Sequence, residues 1–136
     1  MKRKRISLVG VPMDLGQMRR GVDMGPSAIR YADVVERLEQ LGYTVKDRGN
    51  VQIGEDDGQE QPRNLRNLHA IVETTQHVKE QVLTMLDEDA FPLILGGDHS
   101  ISIGTVSAIS ERTSNLGVIW YDAHGDLNRP ETSPSG

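Results

Sequence analysis

Two apolar runs without alternation, Phe91-Pro92-Leu93-Ile94-Leu95 and Leu116-Gly117-Val118-Ile119-Trp120-Tyr121, constrain this chain more than any other feature. A strand with one wet face alternates apolar and polar side chains, whereas a strand covered on both faces does not. Such strands belong to parallel sheets packed between helices. The first run stops at Gly96-Gly97 and the second at Asp122, with a helical segment around Ser102 to Arg112 between them. That order, strand, helix, strand, is the crossover a parallel pair requires.

The remainder fits the same plan. Ile6 to Val11 is a β-rich run closed by Pro12, and a Gly-rich stretch from Asp14 to Gly25 follows it. Pro26 suits a first helical turn. Ile29, Val34, Val35, Leu38 and Leu41 then recur at near-helical spacing until Gly42, which predicts a helix over 26–41 with one buried stripe. Tyr43 to Lys46 is a short candidate strand, and the acidic segment Gly54 to Gln61 reads as an exposed loop. From Leu65 to Leu86 the apolar positions fit a long amphipathic helix, in which a break near Thr74-Thr75 is permitted but not demanded. The expectation is an α/β chain of four strands, a parallel sheet flanked by helices. The tail, Arg129 to Gly136, reads as a loop.

At 136 residues the chain is the size of one domain, so one sheet and one site are expected. Aromatic residues are only 4%, so the core must come largely from Val, Ile and Leu. A net charge of −5, with one basic run at Lys2 to Arg5, argues against a nucleic-acid surface. The apolar stretch after that run is too short for an export signal. No window approaches the roughly 20 apolar residues of a membrane span, and the expectation is a cytoplasmic chain. There is no cysteine, which removes disulfides, thiolate nucleophiles and sulfur-ligated metals together.

Ligands in open α/β sheets gather at the carboxyl ends of strands. There the two apolar runs deliver Gly96-Gly97-Asp98-His99-Ser100 and Asp122-Ala123-His124-Gly125-Asp126-Leu127-Asn128. If the second cluster stays extended, residues two apart point the same way, so Asp122, His124 and Asp126 face one point. His99 adds an imidazole from the neighbouring strand end. Two carboxylates and two imidazoles suit a divalent ion of intermediate hardness such as manganese. A pair of ions roughly 3.5 Å apart lowers the pKa of a shared water and readies it for hydrolysis. A lone Asp-x-His would be weak evidence; the full run beside a second His-bearing strand end is much stronger. His69 and His77 fall inside the long helix and read as helix residues rather than ligands. Asp98 has two readings, orienting a ligand from behind or capping the following helix. The loop Gly16 to Pro26 reads equally as a flexible glycine loop or as a functional element.

Taken together, Gly10-Val11-Pro12 with Gly16-Gln17-Met18-Arg19-Arg20-Gly21-Val22-Asp23-Met24-Gly25-Pro26, Gly96 to Ser100, and Asp122 to Asn128 resemble the successive signatures of arginases. The two metal motifs are common to the wider ureohydrolase group, agmatinases and formiminoglutamases included. The wording from Gln17 to Pro26 resembles a bacterial arginase in particular.

That resemblance implies an arginase-like three-layer α/β/α fold around an eight-stranded parallel sheet. Residues 1–136 would form the N-terminal part of a single domain, cut after about the fourth strand. It implies two Mn2+ per complete site and hydrolysis of L-arginine to L-ornithine and urea through a metal-bridging hydroxide. His99 would bind one ion and His124 the other; Asp122 would bridge both. Asp126 would bind the first ion and hydrogen-bond the hydroxide, which makes it the catalytic residue of the set. Asn128 and Ser135 would hold the substrate's α-carboxylate. The family's remaining ligands, its guanidinium-binding glutamate and its proton-shuttling histidine lie in a later part that has no counterpart in these residues, so little or no activity is expected of this chain alone. The family also implies a homo-oligomer, a trimer or hexamer. Two competitors stand beside this reading: agmatinase or another ureohydrolase, and a non-catalytic half-protein that assembles with a partner. A nucleotide-binding module is disfavoured, because the glycines after the first strand form neither a Gly-x-Gly-x-x-Gly nor a Lys-Ser/Thr phosphate loop.

Overall fold

The computed structural model describes residues 4–55, 58, 60, 62, 65–129 and 131–133. The elements run β1 (Arg5–Val11), a short 3-10 turn (Val22–Met24), α1 (Gly25–Tyr31), α2 (Val34–Gln40), β2 (Thr44–Asn50), α3 (Leu68–Asp87), β3 (Phe91–Gly96) and α4 (Ile101–Arg112). The three strands form one parallel sheet in the order β2-β1-β3. No helix among the described residues is long and apolar enough to cross a membrane.

β1 is the centre of the sheet, and from Ile6 onward it is buried on both faces. Val9 and Val11 project into the main core, where Val78, Val82 and Met85 of α3 and Ala108 of α4 meet them. Residues alternate across a strand, so Ile6, Leu8 and Gly10 face the other way. On that side Pro26 of α1 lies against Gly10. The result is three layers, with helices above and below the sheet, as the unalternating sequence of β1 requires.

β2 is an edge strand, and its polar sequence, Thr-Val-Lys-Asp-Arg-Gly-Asn, leaves it mostly exposed. Charged residues on an edge discourage pairing with other chains. It extends beyond the predicted Tyr43 to Lys46 because Arg30 of α1 seizes its far end. The Arg30 guanidinium donates to both Asp47 carboxylate oxygens (2.7 and 2.9 Å), to Asn50 Oδ1 (2.7 Å) and to the Gly49 carbonyl (2.8 Å).

Two helical predictions change in detail. The helix expected over 26–41 is two short helices, separated at Asp33, which sits in the left-handed region at φ 59°. Aspartate tolerates that conformation better than most residues. The expected stripe is only half covered: α2 has no buried residue, and Leu41 is exposed. α3 begins at Leu68 rather than Leu65 and runs without a break through Thr74-Thr75. There Thr74 Oγ1 donates to the Ala70 carbonyl (2.7 Å) and accepts the Gly54 N–H (2.8 Å), so the hydroxyl ties the loop to the helix instead of interrupting it.

The fourth predicted strand is absent. Leu116 to Tyr121 forms no ladder, and Ile119 is 96% exposed with Tyr121 fully so. The reason is backbone accounting. A buried parallel strand must pair its N–H and C=O groups with a neighbour, and among the described residues this run pairs with none of the three strands. Apolar composition alone therefore does not make a strand, and the sheet has three strands where four were expected.

This layout predicts opposite fates for two apolar truncations. Leu8→Ala, at a side chain with no exposure, should cost about 2–5 kcal/mol in urea unfolding. Ile119→Ala should stay within about 0.5 kcal/mol of wild type, and a loss as large as that of Leu8→Ala would place the 116–121 run in the core after all. The Arg30 contact makes a second, pH-dependent prediction. Arg30's side-chain hydrogen bonds hold the Asp47 carboxyl below its ordinary value, against the opposing effect of burial. A lowered folded-state pKa adds stability that is complete above the unfolded value of about 3.9 and is lost as pH falls through the folded one. Asp47→Asn should thus cost about 1 kcal/mol at neutral pH, and the difference from wild type should close in chemical unfolding below about pH 4.

Candidate metal centre

The site lies at the carboxyl end of β3, where the chain turns within a few residues into α4. Gly97 is at φ 67°, and a Cβ there would stand 2.5 Å from the carbonyl oxygens of both Val11 and Met13. Only glycine meets both demands, a left-handed backbone and contact with the strand end beside it. The turn is pinned further by Asp98, whose N–H donates to the Met13 carbonyl at 2.8 Å. His99 leaves this turn with its imidazole more than half exposed.

Residues 122–128 approach from the other side. They are not extended, because Asp126 adopts φ 47° and bends the chain back. His99, Asp122 and Asp126 each offer one ligand atom, and the three atoms lie within 4.8 Å of one another. Two donors on one ion at about 2.1 Å each stand no more than about 4.2 Å apart, so shifts of well under an ångström would bring all three onto a single ion. The donor set, one nitrogen and two carboxylates with no sulfur, fits a divalent cation of intermediate hardness.

His124 stands beside this trio rather than in it. Its backbone N–H donates to Asp122 Oδ1 at 2.8 Å, and its Nδ1 lies 2.9 Å from the same oxygen. The His124 amide, followed by its ring, holds the Asp122 carboxyl below the usual carboxylate range. Asp122 is consequently kept anionic, the state a cation requires. Asn128 lines the same cleft and accepts a 3.4 Å hydrogen bond from Thr132 Oγ1. Ser135 lies outside the described residues.

Trp120 was read in the sequence as strand core, yet it belongs to the site. Its indole N–H donates to Asp126 Oδ2 at 2.8 Å, and its ring meets His99 edge-on at a centroid distance of 5.9 Å. The same Asp126 oxygen is 3.7 Å from His99 Nδ1. Trp120 therefore orients two of the three converging groups. Only its place two residues before Asp122-Ala123-His124 could have signalled this. His77, read as a helix residue, is one: its Nδ1 lies 2.9 Å from the Gln52 carbonyl, which ties α3 to the loop after β2.

The trio opens into a cleft of about 1140 Å³. Gly97 to Ser100 form its floor, the loop Gly16 to Arg19 one wall, and Asp122 to Arg129 the other. The loop is anchored by Asp14, whose Oδ2 accepts from Arg20 Nε (2.8 Å) and from the Gly21 N–H (2.9 Å). Burial works to raise the Asp14 carboxyl, but these donors prevail and hold it low.

Comparison with known proteins gives this geometry a family. The pattern described as the Arginase family matches residues 4–136. Arginase from Bacillus subtilis (strain 168) is 54% identical over 133 residues, which cover 98% of this chain and 45% of the relative. Arginase from Bacillus caldovelox is 54% identical over 135 residues with the same coverage. The solved native Bacillus caldovelox arginase superposes with a TM-score of 0.87 over 95% of this chain and 44% of that one. An Entamoeba histolytica arginase solved with L-ornithine gives 0.82 at 29% identity, covering 100% of this chain and 47% of that one. The chain thus spans less than half the length of the curated relatives it matches, yet nearly all of it is matched, and with that coverage the chain belongs to the arginase family.

Proposed function

We propose that these residues carry the first part of an arginase-type active site, one that hydrolyses the guanidinium of L-arginine to give L-ornithine and urea with the help of two manganese ions. The observation that carries this reading is the convergence of His99, Asp122 and Asp126 at adjacent loop ends, in a chain about half identical to named arginases. His99, Asp122, His124 and Asp126 would hold the metal, with Asp122 shared between the two positions. Asn128 and Ser135 would receive the α-carboxylate of the substrate.

A guanidinium is cationic and resonance-stabilised, hence a poor electrophile. Bound in this site, a divalent pair would supply a water of lowered pKa close to neutral pH. The rest falls to the chain's own side chains. Asp122, held anionic by His124, and Asp126, oriented by the Trp120 indole, give one wall of the cleft the negative charge that divalent ions require. The Asp126 carboxylate, held at Oδ2 by the Trp120 indole, would accept a proton at its other oxygen. The cleft walls set the distance between the guanidinium end and the carboxylate end of the substrate.

Three converging donors plus His124 are fewer than two ions need, so this stretch by itself should bind metal weakly and turn over little. By the resemblance to its family, the working protein would be a cytoplasmic homo-oligomer, a trimer or hexamer, with residues 1–136 forming part of a single domain. L-Arginine is preferred over agmatine because the relatives at half identity are named arginases. A second reading, a half-protein that functions only after assembly, is favoured by the exposed run Val118 to Tyr121.

After dialysis against manganese, the 136-residue chain should retain clearly fewer than two Mn per molecule and release urea from L-arginine only at background. Asp126→Asn should remove most of the metal that does bind. Close to two Mn per chain together with urea production would overturn the weak-binding part of this reading. Turnover of agmatine in preference to arginine would overturn the substrate.

A further inference from the structure

Asp98 touches neither converging carboxylate, yet with Asp14 it is a buried charged group among the described residues, at 7% exposure. Its two oxygens are divided between two segments far apart in sequence. Oδ2 accepts the Gly16 N–H at 2.7 Å, and Oδ1 accepts the Ser100 N–H at 2.9 Å. Charge-assisted bonds from backbone amides to a carboxylate are about twice as strong as neutral ones, and burial keeps water from competing for them. The Gly16 side of the contact is equally specific. A Cβ on Gly16 would fall 2.1 Å from Ser100 Oγ and 3.2–3.3 Å from both Asp98 oxygens, so any side chain there would have to turn the Ser100 hydroxyl away and press on the carboxylate.

Resting on the proposed site, we infer that Asp98 is a positioning residue: it clamps the Gly16 to Arg19 loop against the β3–α4 turn and so builds one wall of the substrate cleft. It answers the two sequence readings of Asp98 with a third. The carboxylate neither backs His99 nor serves only the helix that follows; it joins the first loop of the chain to the turn that bears His99. The wall thus set in place carries Gln17, Met18 and Arg19 along the cleft, opposite Asn128. Asparagine at position 98 would keep the shape but replace one acceptor oxygen with an NH2 facing an N–H donor, releasing one of the two segments.

The test is backbone amide exchange on the 136-residue chain, which needs no bound metal, accompanied by the visible spectrum of the Co2+-loaded protein. Asp98→Asn should speed exchange at Gly16 through Arg20 at least tenfold while the amides of Val9 and Leu95, in the sheet, change less than twofold. Gly16→Ala should loosen the same amides by pushing the loop off from its own side. Adding Asp98→Asn to Gly16→Ala should then accelerate them less than twofold further, the non-additivity expected of two halves of one contact. The Co2+ bands should be the same in wild type and Asp98→Asn, since His99 keeps its place. Unchanged exchange at Gly16 in Asp98→Asn would overturn the clamp, and so would equal acceleration at Val9, which would make Asp98 a general stabiliser. Altered Co2+ bands with a protected loop would likewise overturn it in favour of direct support of His99. If wild type shows no Co2+ bands, the metal reading fails, and the exchange comparison still decides the clamp.

Discussion

Burial of β1 on both faces is the constraint from which the rest of the structure follows. Because Val9 and Val11 serve one layer and Leu8 the other, helices are needed above and below, and β1 must sit between two neighbours that complete its hydrogen bonds. Its parallel pairing with β3 brings Val11 level with Gly96, so both strands end at the same edge. The chain after β1 and the turn after β3 are therefore forced together, and the contacts between Met13, Gly16, Gly97 and Asp98 are the outcome. The site is a consequence of where these two strands stop.

That origin explains why the cleft is rigid on one side and open on the other. The floor and the Gly16 wall hang from β1 and β3 through short hydrogen bonds and glycine contacts. The opposite wall, residues 122–129, hangs from an apolar run that no strand in the described residues pairs with. It is held mainly by its own links, Trp120 to Asp126 and His124 to Asp122. Both are exposed hydrogen bonds, worth little net stability in water. The candidate metal donors therefore come from supports of unequal stiffness, His99 on the turn between β3 and α4 and Asp122 and Asp126 on the looser arm.

The sequence made the sheet legible wherever its signal was local. Runs apolar throughout marked β1 and β3, and the spacing from Leu68 to Leu86 marked α3, because burial on both faces or along one stripe leaves a period in the residues themselves. It misled at Leu116 to Tyr121, where pairing depends on a neighbour that no local pattern encodes, and at Asp33, where a single left-handed residue divides a helix whose periodicity runs straight through it. In the site, residue types and spacing pointed to His99, Asp122 and Asp126. The alternation argument also grouped His124 with them; in the structure its amide and ring meet Asp122 Oδ1 beside the trio. Trp120 and the Asp98 to Gly16 link were not readable, since each joins residues whose proximity exists only after folding.

The central claim is that His99, Asp122 and Asp126 converge to hold a divalent cation, and nuclear magnetic resonance with Mn2+ as a paramagnetic probe tests it most directly. At sub-stoichiometric Mn2+, the amides of His99, Asp122 and Asp126 and the Trp120 indole N–H should broaden first, ahead of those of Glu55 and Glu60 in the acidic stretch of sequence after Gly54. Broadening that begins in that stretch, or that spreads evenly over the acidic surface, would contradict the account.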